Sequence, residues 1–282
     1  MLKTLHFCIF AIAYQTHKTM MKKLYTIAVA FSLIFISGCD DGKLNFFTVD
    51  QDIAFGWQLD STILANPETY PILDKNDYPV AYDHIERILA TLLESDDLRY
   101  ANRFPWEVKI IDQEVLNAFA APGGYMYFYT GLIKFLDNEA QFAGVMAHEM
   151  AHADRRHSTQ MLTKQYGFSV LAAIVLGDNP TVLEQIIAEL ALGLGNLKYS
   201  RDNEYEADEY AVNYLYDTDY HPRELAAFFE KMEGQPTPPE FLSTHPSPEN
   251  RIEAIEAVWQ ELGGKEGEYY IDRYNDFKNS LP

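Results

Sequence analysis

The sequence predicts an α+β fold, mainly helical. Strand-like segments cluster between residues 106 and 129, and helix-like segments dominate after residue 138. No internal repeat sets a solenoid or propeller period. The chain has 282 residues, 48% hydrophobic and 14% aromatic, which is room for a sizeable core in one large domain or two small ones.

The first 38 residues read as a targeting region rather than fold. In "MKKLYTIAVAFSLIFISGC", Lys22 and Lys23 form a positive start, Leu24 to Ile36 an apolar run, and Ser37-Gly38 a small-residue pair before Cys39. That is the pattern of a secretory signal, with an apolar run too short for a membrane span. Residues 1–20 look like an upstream extension, with translation expected to start at Met21. The "ISGC" ending resembles the bacterial lipobox, which implies cleavage before Cys39 and a lipid on its sulfur. An uncleaved N-terminal anchor is the alternative. Only Cys8 and Cys39 are present, so a disulfide framework or thiolate metal cluster in the rest of the chain is excluded. The net charge of −20 argues against nucleic acid as a partner and against docking on anionic lipid through a basic face.

Residues 39–79 read as a lipidated tether and N-terminal segment, broken by Pro67, Pro71 and Pro79, with a possible helix near 50–64. A functional domain is expected over 80–263. "HIERILATLLESD" sets Ile85, Ile88, Leu89, Leu92 and Leu93 on one helical stripe. "WEVKII" reads as a strand, and "LNAFAAPGGYMYFYTGLI" as strand, turn and strand. A helix follows, with Asn138 and Gln141 as a capping box, and should run to about Lys164. Two apolar stretches near 167–177 and 186–195 are too short to span a bilayer. They read as core helices or a lid over a cleft, with a membrane-dipping hairpin as the alternative. Further helices are expected from Ser200, over "RELAAFFEKME", and after Ser247-Pro248, where Ser247 is the cap. Residues 264–282 read as a polar, aromatic tail.

"VMAHEMAHADRRH" carries the chemistry. His148 and His152 are four apart, so on a helix they share one face one turn apart. Two imidazoles so placed can bind one Zn2+, and Glu149 beside them can take a proton from an attacking water. The bland reading is two histidines on a core helix. Ala140 to Ala147 carries no charge on any face, so this part of the helix is buried, and Glu149 at its end is costly without a polar site. The charges from Asp154 onward should mark where the helix leaves the core. A third ligand must come from elsewhere. A metzincin would place a histidine at 158, where this chain has Ser158, and His157 points away from the His148/His152 face. Glu204 and Asp208, four apart on a later helix whose stripe continues to Ala211 and Leu215, face inward. One can bind metal while the other holds a ligand histidine, or both can belong to a solvated acidic face.

Three further stretches carry a resemblance: "NAFAAPGGYMYFYTGLI", "SRDNEYEAD" and "STHPSPENRI". With HExxH and the "RRH" after it, the chain over roughly residues 80 to 260 resembles the HtpX, BepA and CAAX-prenyl-protease family of zinc metallopeptidases. The resemblance implies a gluzincin fold: a small sheet, an active-site helix and a glutamate-bearing helix. It implies one Zn2+ held by His148, His152 and Glu204, with Asp208 behind a ligand and Glu149 as the base. His245 matches a histidine that in relatives can approach and gate the metal, and Arg201 an arginine near the cleft. Asn117, Ala118, Phe119 and Ala120 would form an edge strand for an extended substrate, with Gly123 and Gly124 turning the chain beside the cleft. The expected function is a peptidase of the bacterial cell envelope, anchored by lipid and facing the periplasm. Its partners would be unfolded or misassembled envelope proteins. The alternative is a chaperone-like assembly lipoprotein with latent proteolysis.

Overall fold

A computed structural model describes residues 39–40, 43–175, 180–193, 198–233, 235, 239–246 and 250–282. The signal region and the Ser247 cap lie outside the described residues. The chain divides into two units, Met1–Phe46 and Phe47–Pro282. In the first, β1 (Cys39–Asp40) pairs antiparallel with β2 (Lys43–Leu44).

The second unit begins with α1 (Val49–Leu64). Thr48 and Gln51 satisfy each other's backbone N–H in a capping box, and Phe55, Leu59 and Ile63 are buried. Helix α2 (Pro79–Leu92) starts on a proline and buries the expected stripe of Ile85, Ile88, Leu89 and Leu92; Leu93 falls at its end and is half-buried.

Three strands follow: β3 (Glu107–Ile111), β4 (Ala118–Ala121) and β5 (Tyr125–Tyr129). Their order is β3-β5-β4, with β3 parallel and β4 antiparallel to β5. The β4–β5 turn uses Gly123 and Gly124 at φ of 77° and 89°, a region that costs glycine little. Every residue of β4 and β5 is buried. A short α3 (Thr130–Phe135) leads to α4 (Glu139–Asp154), which packs on β4 and is buried along its whole length. Asn138 caps α4 by accepting from the Gln141 N–H, but the Gln141 side chain turns to the Asp137 N–H, so the expected box is one-sided.

Helix α4 does not run to Lys164. It ends at Asp154, Arg156 takes a left-handed φ of 59°, and α5 (His157–Val175) begins anew. The cause is tertiary: the Arg156 guanidinium binds Asp52 and the Phe47 carbonyl, while Asp154 accepts from the Arg99 and Tyr100 N–H groups and the Tyr214 hydroxyl. The charges from Asp154 onward therefore do not mark an exit to solvent. Asp154, Arg155, Arg156 and His157 are all buried, each against a polar partner, which is the condition for burying charge.

Helix α6 (Pro180–Gly193) buries Ile186, Ile187, Leu190 and Ala191 and packs on α1. Among the described residues no helix is long and apolar enough to cross a membrane. Helix α7 (Arg201–Tyr216), capped by Ser200, lies along α4. Then come α8 (Glu224–Glu233), α9 (Phe241–Thr244), α10 (Arg251–Glu261) and α11 (Ile271–Asn279). The polar segment 264–282 is more than a tail. Helix α11 buries Tyr274 and Phe277 completely, and the Tyr269 carbonyl accepts the first N–H groups of α4. Two aromatic side chains three apart in a polar helix are too sparse a pattern to announce a core contact.

Candidate metal centre

Helix α4 brings His148, Glu149 and His152 into the core, and α7, packed along it, brings Glu204 and Asp208. His245 follows α9; its N–H bonds the Phe241 carbonyl and its ring stacks on Phe241 at 4.3 Å. Each of these side chains is buried. Donor atoms of His148, His152, Glu204 and His245 lie within 4.8 Å of one another. His148 Nε2 is 3.0 Å from His152 Nε2 and 3.3 Å from His245 Nδ1. Glu204 Oε2 is 3.5 Å from His148 Nε2, and Oε1 is 3.6 Å from His152 Nε2 and 3.4 Å from His245 Nδ1. Tetrahedral coordination at metal–nitrogen distances of about 2.0–2.1 Å requires edges of about 3.4 Å.

The hydrogen bonding makes the same case. His148 Nδ1 lies 2.9 Å from Asp208 Oδ1. In the neutral ring that holds its proton there, as metal binding requires, Nε2 presents a bare lone pair. Among the described residues both Glu204 oxygens, both Glu149 oxygens and His245 Nε2 are buried without hydrogen-bond partners, although Arg251 Nη2 forms an ion pair with Glu204 Oε2 at 3.1 Å. A bound cation would satisfy these orphaned atoms, and three imidazoles with one carboxylate are a zinc donor set.

The surroundings hold each ligand from behind. Arg251 binds Asp208 through Nε and Nη2, each at 2.7 Å, reaches Glu204 Oε2 at 3.1 Å and lies 3.6 Å over the Phe229 ring. His152 Nδ1 meets His157 Nδ1 at 3.0 Å; His157 in turn meets Glu206 at 3.2 Å. Tyr199 stacks on His152 at 3.9 Å and shares a hydrogen bond with Ser158. His157 starts a new helix after the break, so helical spacing from His152 does not place it; it is buried and meets His152 at Nδ1, not at the Nε2 that faces the other donors. Arg251, Tyr199 and the role of His157 are absent from the sequence reading. Arg251 sits within "STHPSPENRI", and its spacing alone carries no signal that it turns inward.

Charge follows from these contacts. Burial pushes the Glu149 carboxyl above its usual range. Burial also acts to raise Glu204, but His245, His148 and His152 outweigh it and hold the carboxyl well below that range. His148 is lowered by burial and raised more by Asp208 and Glu204, up to about 9. Burial and the neighbouring His148 push His152 well down.

The remaining candidates lie as follows. Asn117 is buried, and its Oδ1 accepts from the Ala118 N–H and the Thr244 hydroxyl, joining β4 to the segment that carries His245. Ala118, Phe119 and Ala120 are on β4, an edge strand of this sheet. Gly123 abuts Ile53 of α1, and Gly124 abuts Phe104 and Trp106. Arg201 is exposed on the first turn of α7.

The profile of peptidase family M48 matches residues 81–258. The chain is 32% identical over 161 residues to the beta-barrel assembly-enhancing protease of Escherichia coli (strain K12), covering 52% of this chain and 33% of that protein. It is 31% identical over 152 residues to the mitochondrial metalloendopeptidase OMA1 of Arabidopsis thaliana, covering 53% and 31%. With OMA1 of Homo sapiens, also a mitochondrial metalloendopeptidase, it shares 29% over 193 residues, covering 63% and 37%. It thus matches about a third of the length of these relatives. The family match spans more than half of the chain and includes every metal-site residue, and the chain belongs to peptidase family M48.

Proposed function

We propose that this chain is a zinc-dependent endopeptidase of the bacterial cell envelope. It acts on unfolded or misassembled envelope proteins and is held to a membrane by lipid on Cys39. The observation that carries the catalytic part is the convergence of four buried donors beside Glu149, whose two oxygens have no hydrogen-bond partner among the described residues. His148, His152 and Glu204 hold the metal. When bound, zinc polarises the scissile carbonyl and acidifies the attacking water.

Glu149 takes the proton from that water as the carbon–oxygen bond forms. It then delivers the proton to the leaving nitrogen as the carbon–nitrogen bond breaks. Its raised pKa suits both transfers. Support for the substrate site comes from β4. Tyr129 N–H bonds the Asn117 carbonyl at 3.3 Å, so antiparallel alternation turns the Ala120 N–H and C=O and the Ala118 C=O to the outer edge, where an extended substrate can pair. Asn117 and Phe119 complete that strand, and Gly123 and Gly124 form the turn that ends it. Arg201 or His245 stabilises the oxyanion. Zinc-loaded protein should degrade an unfolded protein such as reduced, alkylated lactalbumin, and a chelator or Glu149→Gln should stop it. Full proteolysis by a zinc-bound Glu149→Gln variant rules the mechanism out.

One observation favours a latent form. His245 Nδ1 lies 3.3 Å from His148 Nε2 and 3.4 Å from Glu204 Oε1, where it would be a fourth donor to the metal, and its Nε2 is 3.4 Å from Glu149 Oε1. In this reading His245 withdraws before substrate binds, so His245→Ala raises peptidase activity. Unchanged or lower activity counts against latency and leaves the oxyanion role.

A further inference from the structure

The sheet has a second edge, β3, on the far side from β4. Glu107 N–H donates to the Gly124 carbonyl at 3.0 Å. In a parallel ladder that turns Lys109 and Ile111 toward β5 as well, and leaves Val108 and Ile110 facing outward. Ile110 is satisfied: its carbonyl accepts from Leu73 N–H at 2.9 Å, and its N–H reaches the Tyr82 hydroxyl at 3.4 Å. Ile72 lies opposite Ile111 in a one-residue antiparallel bridge. That partial strand stops at Leu73, where Tyr82 takes the carbonyl at 2.8 Å. Beyond it the lane is open. Among the described residues nothing bonds the N–H or C=O of Val108.

A groove of about 550 Å³ occupies this lane, walled by Leu64, Tyr70, Leu89 and Trp106. Leu64 is 47% exposed. Trp106 holds a left-handed φ of 44°, a rare conformation for a bulky residue. Asp74, Glu86 and Glu107 line the groove against Lys75 and Lys109. Lys109 bridges Asp60 at 2.7 Å and Glu107 at 3.0 Å, and Lys75 is taken by Glu86 at 2.5 Å, so the lining carries an excess of acid, with Asp74 as the carboxylate no lysine takes among the described residues.

We propose that this groove is a second polypeptide-binding site, apart from the metal centre. It takes an extended segment as an added strand on β3, through the Val108 N–H and C=O. The segment carries an apolar side chain for the Leu64–Leu89–Trp106 wall and a lysine or arginine for the acidic lining. Main-chain pairing supplies affinity, and the alternate side chains supply selectivity. Binding requires neither metal chemistry nor Glu149.

The test uses the full chain, zinc-loaded and carrying Glu149→Gln so that nothing is cut. The probe is a fluorescein-labelled octapeptide of alternating valine and lysine, followed by anisotropy. Saturable binding is expected, weakened about tenfold by replacing lysine with glutamate. Val108→Pro removes the outward N–H but none of the bonds to β5, and should weaken binding about tenfold, the worth of roughly one lost hydrogen bond with its partner left unmet. Lys75 is exposed, so a benzophenone on Lys75→Cys leaves the fold intact and should crosslink the bound probe. Undiminished affinity in a folded Val108→Pro protein overturns the proposal. A probe that binds without crosslinking at position 75 also overturns it, because it then sits elsewhere.

Discussion

His148 is held between two carboxylates of one helix: Nδ1 lies 2.9 Å from Asp208 Oδ1, and Nε2 lies 3.5 Å from Glu204 Oε2. The two acids are four apart on α7, so one helical face can both offer a donor to the metal and orient a donor histidine. Arg251 ties the pair together from behind. Loss of such an orienting group typically weakens metal binding 10- to 100-fold. Asp208→Ala should therefore weaken zinc binding by about that factor without abolishing it, measured by competition with a chromophoric chelator. Unchanged affinity would show that Asp208 acts only through folding.

Glu204 and His157 should separate cleanly. Glu204 supplies a donor, so Glu204→Ala should leave no zinc after dialysis, read by elemental analysis. His157 meets His152 at Nδ1, not at the Nε2 that faces the other donors. His157→Ala should keep its zinc, with affinity lowered by less than about tenfold. Equal loss in both variants would place His157 among the ligands.

Glu139 makes stability depend on pH. Burial acts to raise its carboxyl, but Arg87, Arg273 and Tyr220 outweigh it and hold the carboxyl below its ordinary 4.5. A folded pKa below the unfolded one stabilises the protein above pH 4.5, and that contribution disappears as pH falls through the folded value. Breaking this buried network with Glu139→Gln should cost about 3 kcal/mol at neutral pH. The wild-type advantage should shrink steadily below 4.5 in urea unfolding. A difference that does not depend on pH would exclude ionic stabilisation.

Two glycines test space against conformation. A Cβ on Gly56 would lie 1.8 Å from the Pro122 carbonyl oxygen, so Gly56→Ala must push α1 off the β4–β5 turn. A cost of about 3 kcal/mol is expected. A Cβ on Gly167 would meet nothing within 4 Å among the described residues, but the residue sits at φ of 70° and ψ of 173°, a region kept almost to glycine, and Gly167→Ala should cost about 2 kcal/mol. Thermal unfolding of both variants checks the order.

Local geometry was legible in the chain itself. The four-residue spacing of His148 and His152, and of Glu204 and Asp208, puts each pair on one helical face wherever that helix lies. The uncharged run from Ala140 to Ala147 likewise announces a buried helix. The strand–turn–strand at 118–129 follows from its glycines and alternating aromatics. Motif resemblance added His245, which sits in the cluster, and Arg201, which is exposed.

Tertiary packing decided the rest. The break at Arg156 depends on Asp52, 104 positions away, and no local propensity encodes that partner. Burial of Arg251 depends on finding Asp208, Glu204 and the Phe229 ring together; alone, it reads as a surface arginine. The open edge at Val108 exists because residues 71–73 pair with one half of β3 and not the other. Helical spacing is a short-range property of the backbone and survives in the sequence. The pairing of a buried charge or a strand edge is set by whichever group the fold brings near, and that emerges only when distant elements meet.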